Sequence, residues 1–238
     1  SLASRSVDRC RMCGSNRLHR YLDMGRTPLA NSYLDAQTAV QPEFTEELCL
    51  QLCCDCGLSQ LTKVVHPDRM FRHYLYVSAT TATMRKHFAE FAATVAKAAA
   101  AKPGDLAVDI ASNDGTLLAA FKAVGLKPLG VDPATNLAAE ANAKGLTTWC
   151  DYWSVALAQR LAREAGRPKV ITAANVFAHA DGLMDFTRGV AACLAPGGVF
   201  AIECPYLVDF IEKSEFDTAY HEHVSYISLT PLTGLMKA

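Results

Sequence analysis

The chain lacks the apolar segments that would place it in or across a membrane. Half of its 238 residues are hydrophobic, yet no uninterrupted hydrophobic run approaches the roughly 18 residues of a membrane span. The opening residues, SLASRSVDRC, have no apolar core of the kind found in a secretory signal peptide. From these absences we expect a cytoplasmic protein that has no membrane partner.

An excess of basic charge is also missing. The chain has 23 lysines and arginines against 24 aspartates and glutamates, for a net charge of −1. A nucleic-acid-binding surface spread over the whole protein would require a basic excess, so we expect no nucleic-acid partner. The G-x-G-x-x-G fingerprint of dinucleotide enzymes is absent as well, which disfavours a nicotinamide cofactor.

Cysteine, by contrast, is plentiful, with nine residues. Four of them form two C-x-x-C pairs, Cys10 with Cys13 and Cys53 with Cys56. Two such pairs supply four thiolates, the ligand set of a structural, tetrahedral zinc ion with no open position for chemistry. The alternative is a set of unrelated reduced thiols. The apolar surroundings of four further cysteines predict core positions for Cys49, Cys150, Cys193 and Cys204.

Apolar runs alternate with helical patterns in the second half of the chain. An alanine-rich helix is predicted over 83–101. Five strands are then predicted at 106–111, 128–131, 146–150, 169–174 and 198–204. Helices are predicted between them at 115–124, 134–144, 154–165 and 182–194. This alternation predicts a parallel, doubly wound sheet with its ligand outside the carboxyl ends of the strands.

The first two strands end in acids that suit an adenosine-containing ligand. Asp132 is placed to accept both hydroxyls of a ribose, and Asp109 to lie near a methionine ammonium. S-adenosylmethionine fits this pattern better than NAD. The alternative for both acids is a carboxylate that only accepts backbone amides at a strand end. Further cofactor-binding candidates lie at or just after the ends of the first four strands: Ala111, Asn113, Asp114, Gly115, Pro133, Asp151, Tyr152, Asn175 and His179.

The run Tyr220-His221-Glu222-His223 follows the fifth predicted strand. It concentrates groups that exchange protons near neutral pH, which indicates acid–base catalysis. Two alternatives remain open. In an extended segment His221 and His223 would share one face and could hold a metal, although the H-E-x-x-H spacing is absent. The run could also form a solvated polar turn.

The order of these motifs resembles one family. It is the zinc-containing, S-adenosylmethionine-dependent sugar C-methyltransferases that act at C3 of nucleotide-linked 4-keto-deoxysugars. The resemblance covers nearly the whole chain. It rests on CRMCGS at 10–15, GRTPLANSYL at 25–34, CCDCGLSQL at 53–61, YLYVSATTATMRKH at 74–87, DIASNDGTLL at 109–118, GVDPATN at 130–136, NVFAHA at 175–180 and FDTAYHEHVSYISL at 216–229.

This resemblance implies an α/β fold. A small zinc-binding domain over 1–72 and a connecting helical segment over 73–103 would precede the cofactor domain over 104–238. That domain would be a Rossmann-like class I methyltransferase sheet, mostly parallel, with strand order 3-2-1-4-5. The implied cofactors are S-adenosylmethionine and structural Zn²⁺. The implied partner is a small molecule, a nucleotide-linked ketosugar, and we expect a monomer or weak dimer.

The resemblance also implies catalytic roles. A ketone at C4 acidifies the proton on C3. His223 would remove that proton, alone or together with Glu222, and C3 would then attack the methyl group. Tyr220 would hydrogen-bond the sugar or the developing oxyanion, and His221 would assist in substrate binding.

Two tyrosines and two departures complete the comparison. Tyr74 and Tyr76, in the connecting segment, would close over the active site. Ala111 stands where the family usually has glycine. Family members continue past Ala238 into a C-terminal domain, so we expect either a fragment or a short form with a different acceptor. The alternatives are a methyltransferase of another small metabolite or polysaccharide precursor, and a non-catalytic module that binds zinc and S-adenosylmethionine.

Overall fold

A computed structural model describes residues 2–37, 39–77 and 81–237. The chain divides into two compact units. The first, called here the cysteine unit, comprises Ser1–Phe71, Ala178–Met184 and Cys204–Ala238. The second, called the sheet unit, comprises Arg72–Phe177 and Asp185–Glu203. Among the described residues, no helix is both long and apolar enough to span a bilayer.

The strands and helices are numbered in chain order. The strands are β1 (Arg5–Ser6), β2 (Leu18–Pro28), β3 (Thr45–Cys53), β4 (Ser59–Leu61), β5 (Lys63–Val64), β6 (Leu106–Ile110), β7 (Lys127–Val131), β8 (Thr148–Trp149), β9 (Val170–Ala174), β10 (Val199–Glu203) and β11 (Ser225–Tyr226). The α-helices are α1 (Pro67–Phe71), α2 (Ala82–Ala98), α3 (Thr116–Ala123), α4 (Thr135–Ala143), α5 (Val155–Glu164), α6 (Leu183–Cys193), α7 (Leu207–Glu212) and α8 (Leu229–Leu235).

The sheet unit is built on five parallel strands in the order β10-β9-β6-β7-β8. Numbered within the sheet, this order is 5-4-1-2-3, so the predicted 3-2-1-4-5 arrangement is confirmed. The central strand β6 is buried along its whole length, because neighbours pair with it on both sides. Its carboxyl end lies where the strand order reverses, the usual ligand position in such sheets.

Helix α2 packs on this sheet unit through one apolar face. Phe88, Ala92 and Val95 recur at helical spacing and join the core cluster that contains Ala107 of β6. The helix begins where the Thr81 side chain accepts a hydrogen bond from the backbone N–H of Met84 at 3.1 Å. Its predicted extent, 83–101, is confirmed to within a few residues.

The cysteine unit is built on an antiparallel sheet in the order β11-β4-β3-β2. The strands β2 and β3 form a long hairpin, which occupies most of the interval between the two cysteine pairs. Its core contains Leu48, Leu50 and Leu61, packed with Phe210 and Tyr226 from the end of the chain.

The two compact units are not the consecutive segments that boundaries at 72 and 103 would give, because the cysteine unit also includes residues from the end of the chain. The reason is β11, whose Ser225 and Tyr226 pair with Gln60 and Ser59 of β4. Residues 204–238 therefore belong to the same unit as the four paired cysteines, and not to the unit that contains the parallel sheet. Hydrogen bonds between strands far apart in sequence determine this grouping, and a pattern read along the chain does not reveal them.

Candidate functional site

Four cysteines of the cysteine unit converge on one point. Their Sγ atoms all lie within 4.8 Å of one another, with Cys10 3.4 Å from Cys56 and Cys13 3.6 Å from Cys53. Thiolates bound to one tetrahedral zinc at about 2.3 Å lie about 3.8 Å apart. The sulfur positions therefore fit a zinc ion whose ligands all come from the protein. Cys54 is exposed and lies outside this group.

The β2–β3 hairpin brings the two cysteine pairs together. Leu18, at the start of β2, pairs with Cys53, at the end of β3. Each cysteine turn closes through a glycine N–H: Gly14 donates to the Cys10 carbonyl and Gly57 to the Cys53 carbonyl, both at 2.9 Å. These glycines have φ values of 74° and 80°, a region that strains other residues.

The remaining thiols are less uniformly buried than predicted. Cys49 and Cys193 are buried, whereas Cys150 is exposed and Cys204 is half-buried. The core prediction is wrong for Cys150 and Cys204, because each directly follows an edge strand of the parallel sheet. An edge strand has a neighbour on one side only.

In the sheet unit, the loop after β6 turns sharply at the carboxyl edge. Ala111 and Asn113 have φ values of 58° and 53°, and Gly115 begins α3 with a φ of 82°. A Cβ atom on Gly115 would lie 2.7 Å from Cδ1 of Leu146, so a larger residue would collide there. The left-handed region costs an alanine about 1–2 kcal/mol, so the loop stores strain at Ala111.

Asp132 holds this loop in place. Its Oδ2 accepts a hydrogen bond from the Asn113 N–H and its Oδ1 accepts one from the Ala134 N–H, both at 2.8 Å. Burial raises the pKa of Asp132, while these two N–H donors oppose the rise. Each carboxylate oxygen keeps a second lone pair, so the same group remains able to accept ribose hydroxyls.

Asp109 is a buried acid whose carboxylate accepts one side-chain hydrogen bond. Its Oδ1 accepts a hydrogen bond from the Thr172 hydroxyl at 2.7 Å. Burial raises its pKa to about 7; Thr172 opposes this rise, and the carboxylates of Asp132 and Glu203 add to it. No cationic group of the described residues offsets its charge. This acidic edge fits a ligand that carries both a diol and positive charge, which are features of S-adenosylmethionine.

Other predicted cofactor residues lie along the same edge. Asp114 accepts a hydrogen bond from the Thr116 hydroxyl through Oδ1 at 2.8 Å, while its buried Oδ2 has no hydrogen-bond partner and lies 3.9 Å from Lys144 Nζ. The carbonyl of Pro133 accepts a weak contact from the Cys150 thiol at 3.8 Å. After β8, exposed Asp151 accepts a hydrogen bond from the N–H of half-buried Tyr152 at 2.8 Å.

The segment that carries Tyr74 and Tyr76 is hydrogen-bonded to the loop after β6 and to α4 of the sheet unit. The Asn113 side-chain amide donates to the Tyr76 carbonyl at 3.0 Å. Asn136 of α4 donates to the Tyr74 carbonyl at 2.8 Å and accepts from its N–H at 3.2 Å. The two tyrosine rings lie 6.4 Å apart between centroids. The backbone of this segment is therefore fixed beside the loop after β6.

Sequence reasoning identified Asn175 but missed its partner Glu203, and it also missed His87, which contacts the same carboxylate. The N–H of Asn175 donates to the Glu203 carbonyl at 2.7 Å, and its side-chain amide donates to Glu203 Oε1 at 3.0 Å. The other carboxylate oxygen of Glu203 lies 2.6 Å from Nε2 of His87 on α2. His87 ends the motif at 74–87, and Glu203 ends β10. In the sequence, only these two positions pointed to a functional role for His87 and Glu203.

In the cysteine unit, Tyr220 and His223 form a proton-handling pair. His223 Nδ1 lies 2.8 Å from the Thr218 carbonyl. Since a carbonyl cannot donate, Nδ1 carries the proton. Nε2 then carries an unprotonated lone pair, which accepts a hydrogen bond from the Tyr220 hydroxyl at 3.2 Å. Burial lowers the pKa of His223, although the Thr218 carbonyl opposes this shift. The neutral ring is the form that serves as a base.

His179 extends this pair. Its ring centroid lies 5.0 Å from that of His223, and the same ring stacks on Phe71 with the centroids 5.7 Å apart. Burial, together with the neighbouring His223, lowers the pKa of His179 to about 3. His179 is therefore neutral near pH 7 and adds no positive charge beside His223.

The two middle residues of the run Tyr220-His221-Glu222-His223 have hydrogen-bond partners of their own. His221 is 1% exposed, and its Nε2 donates to the Glu46 carbonyl at 3.2 Å. Glu222 is also buried and accepts a hydrogen bond from the Asn31 side-chain amide at 2.8 Å. Asn31 lies in the motif at 25–34.

Each unit thus gathers one set of predicted residues. The cysteine unit brings together Tyr220, His223 and His179, and separately the four metal-binding cysteines. The sheet unit brings together the loop after β6, Asp132 and the backbone of the tyrosine segment. Among the described residues, the cysteine group is the only cluster whose ligand atoms are placed to hold a metal.

Two family models match the chain. Residues 10–71 match a family described as "Putative zinc binding domain", and residues 83–238 match a family described as "Methyltransferase domain". The second match covers more than half of the chain. The two matches follow each other in the order that the motifs predict.

Individual relatives agree with these matches. The chain is similar to "C-methyltransferase NovU" of Streptomyces niveus, with 34% identity over 234 residues. That alignment covers 98% of this chain but 56% of the relative, so the chain spans just over half of the relative's length.

Solved structures share the fold. A structure described as a SAM dependent methyltransferase from Archaeoglobus fulgidus aligns with a TM-score of 0.54 and 14% identity, over 64% of this chain and 67% of that one. The YcgJ protein of Bacillus subtilis aligns with a TM-score of 0.50 and 19% identity, over 63% and 66%. At these identities the similarity shows the fold alone.

Proposed function

Because this chain belongs to the methyltransferase-domain family, we propose that it transfers a methyl group from S-adenosylmethionine to C3 of a nucleotide-linked 4-keto-deoxysugar. The observation that carries this proposal is the Tyr220–His223 pair, which presents a neutral imidazole with its Nε2 lone pair free of a proton. Carbon methylation requires a base, because carbon has no lone pair of its own. The similarity to a protein named C-methyltransferase supports the same chemistry.

The proposed reaction has two steps. His223 takes the C3 proton on Nε2, and the electron pair left behind delocalises onto the C4 oxygen as an enolate. C3 then forms a bond to the methyl carbon as the carbon–sulfur bond breaks. S-adenosylmethionine, when bound, would supply an electrophilic methyl group, and its sulfur would be left as an uncharged thioether. His223 later releases its proton to water, so atoms and charge balance.

The neighbours of His223 take supporting roles in this proposal. Tyr220 moves its hydroxyl from Nε2 to the developing oxyanion as Nε2 accepts the substrate proton. Glu222 and His221 hold the run 220–223 in position through their hydrogen bonds to Asn31 and Glu46. A buried, structural His221 is a smaller role than the substrate contact that the sequence suggested. The neutral ring of His179 shields the pair without placing a positive charge beside His223.

The donor is proposed to bind at the carboxyl edge of the sheet unit. Asp132 accepts the ribose hydroxyls and Asp109 faces the methionine ammonium. The loop residues Asn113, Asp114 and Gly115 surround the donor together with Ala111 and Pro133. Asp151 and Tyr152 flank the adenine. Asn175 lies at the methionine end, and Tyr74 and Tyr76 cover the site.

Zinc is proposed as a structural ion held by the four cysteines. It cross-links the β2–β3 hairpin and takes no part in methyl transfer, because no coordination position is open. Its thiolate ligands require a reducing compartment, which favours the cytoplasm. The acceptor is a small molecule, and a monomer or weak dimer suffices for this chemistry.

The decisive experiment is a methylation assay with a TDP-linked 4-keto-deoxysugar and methyl-labelled S-adenosylmethionine. We expect label in the sugar, at C3 by NMR. If label is transferred to other keto metabolites but not to the nucleotide sugar, the proposed acceptor is wrong and the assignment as a methyltransferase stands. Donor binding without transfer to any ketone would support a non-catalytic module. A longer chain that extends past Ala238, run in parallel, tests whether further residues are needed to hold the acceptor.

A further inference from the structure

Three side chains at the carboxyl edge of the sheet unit form a hydrogen-bonded chain, and two of them, Glu203 and His87, have no role assigned so far. Glu203 is its centre: Oε1 accepts from the Asn175 amide at 3.0 Å, and Oε2 lies 2.6 Å from His87 Nε2. Glu203 comes from the end of β10, Asn175 from just after β9, and His87 from α2. Both carboxylate oxygens are thus fixed in direction, which is how a ligand-binding group is pre-organised.

The carboxylate is held but not sealed off. The side chain of Glu203 is 26% exposed, and that of His87 is 43% exposed. Each carboxylate oxygen has a second lone pair beyond the hydrogen bond that orients it. Asn175 is also locked by its own N–H to the Glu203 carbonyl, in a left-handed conformation with a φ of 56°. Strain of this kind in a non-glycine residue is concentrated at functional sites.

The charge around Glu203 indicates what it would bind. Glu203 raises the pKa of the buried Asp109, so the two carboxylates repel each other across the sheet edge. Within the described residues, the one ion-pair partner of Glu203 is an imidazole, which is charged only when protonated. Two acids that repel one another are stabilised by a cation placed near both.

The strand order indicates which part of the donor lies here. Asp132, which directly follows β7, is the proposed ribose acid. Going outward from β7, the sheet continues through β6 and β9 to β10. A donor whose ribose lies at β7 therefore extends its amino-acid end over β6 toward β9 and β10. That end carries the ammonium group.

We propose that Glu203, oriented by His87 and Asn175, binds the ammonium group of the methyl donor and its product, opposite Asp109. This inference rests on the proposed function, because it assigns a further contact within the same donor site. His87 acts as a positioning residue through Glu203. The arrangement selects ligands that retain the amino-acid end over those that carry only the thioadenosine.

The test compares two ligands by calorimetry on the 238-residue chain. S-adenosylhomocysteine has the ammonium, whereas 5′-deoxy-5′-methylthioadenosine lacks the whole amino-acid end. Glu203→Gln keeps the shape and still accepts from Asn175, but it removes the charge. We expect this variant to bind S-adenosylhomocysteine about tenfold or more weakly and methylthioadenosine with unchanged affinity. His87→Gln should produce a smaller loss with the same ligand selectivity.

Each result has a definite reading. Unchanged binding of S-adenosylhomocysteine by Glu203→Gln would overturn the inference while leaving the proposed function intact. Equal losses for both ligands would also overturn it, since they would indicate a structural role. Failure of the unmodified chain to bind S-adenosylhomocysteine would instead refute the proposed function, and the inference with it. If Glu203→Gln does not fold, as judged by its thermal melt, the selectivity of His87→Gln decides the question.

Discussion

The Tyr220 hydroxyl lies 3.2 Å from His223 Nε2, with the two ring centroids 4.3 Å apart. The Thr218 carbonyl fixes the proton on the opposite nitrogen, Nδ1. The phenol therefore donates to the nitrogen that accepts a proton from carbon in the proposed mechanism. In the proposed mechanism, this hydrogen bond occupies Nε2 until a substrate oxygen offers the Tyr220 hydroxyl a better acceptor.

Replacing His223 should separate proton removal from donor binding. We expect His223→Asn to lower the rate of solvent deuterium exchange at C3 of the ketosugar by about 100-fold or more, because general base catalysis contributes about that much. Binding of S-adenosylhomocysteine should be unchanged. NMR of the recovered sugar measures the exchange. Exchange at the normal rate in His223→Asn would remove this residue as the base.

Tyr220→Phe is the matched variant, since it removes only the hydroxyl. It should slow exchange by a smaller factor, about tenfold, because the base remains but the oxyanion loses a donor. A greater effect than that of His223→Asn would make the phenol, and not the imidazole, the principal base.

The pH dependence of exchange follows from the same environment. Burial lowers the pKa of His223 below its ordinary value of 6.5. In the proposed mechanism the neutral ring is the active form, so exchange should be lost as the pH falls through this lowered pKa. We expect the acid limb of the profile to have its midpoint below pH 6.5. A midpoint at or above 6.5 would contradict the buried, neutral base.

Zinc content should depend on specific thiols. We expect about one zinc per chain by metal analysis, and Cys53→Ser should lose the metal and unfold at a lower temperature, because a structural zinc contributes directly to folding. Cys54→Ser is the control, since Cys54 is adjacent in sequence but exposed and outside the ligand group. Equal zinc loss in both variants would refute the assignment of ligands.

Two alanines in left-handed backbone offer a paired test of the cofactor loop. Ala111 has a φ of 58° and Ala100, after α2, has a φ of 47°. Glycine relieves this strain, so each Ala→Gly change should stabilise the chain by about 0.5–1 kcal/mol in urea unfolding. Only Ala111→Gly should change the affinity for S-adenosylhomocysteine. A similar affinity change in Ala100→Gly would show that the effect does not arise in the loop.

Local patterns were sufficient for the order of the elements. The alternation of apolar runs and helices correctly predicted five parallel strands, because burial on both faces leaves continuous apolar runs, and the family resemblance implied the order of those strands in the sheet. The spacing of Cys10, Cys13, Cys53 and Cys56 likewise identified the metal group, because a C-x-x-C turn is a local structure. The sequence also marked Tyr220 and His223 as unusual, since chemically active side chains are rare at such density.

The tertiary structure alone decided how these parts function together. It showed that β11 joins the sheet of the cysteine unit, that Thr218 selects the tautomer of His223, and that Glu203 meets His87 across 116 residues. These relationships are hydrogen bonds between distant or irregular segments, and their geometry depends on how the backbone closes. The sequence therefore determined which chemical groups the protein has, and only the folded chain determined which atom of each group is free to react.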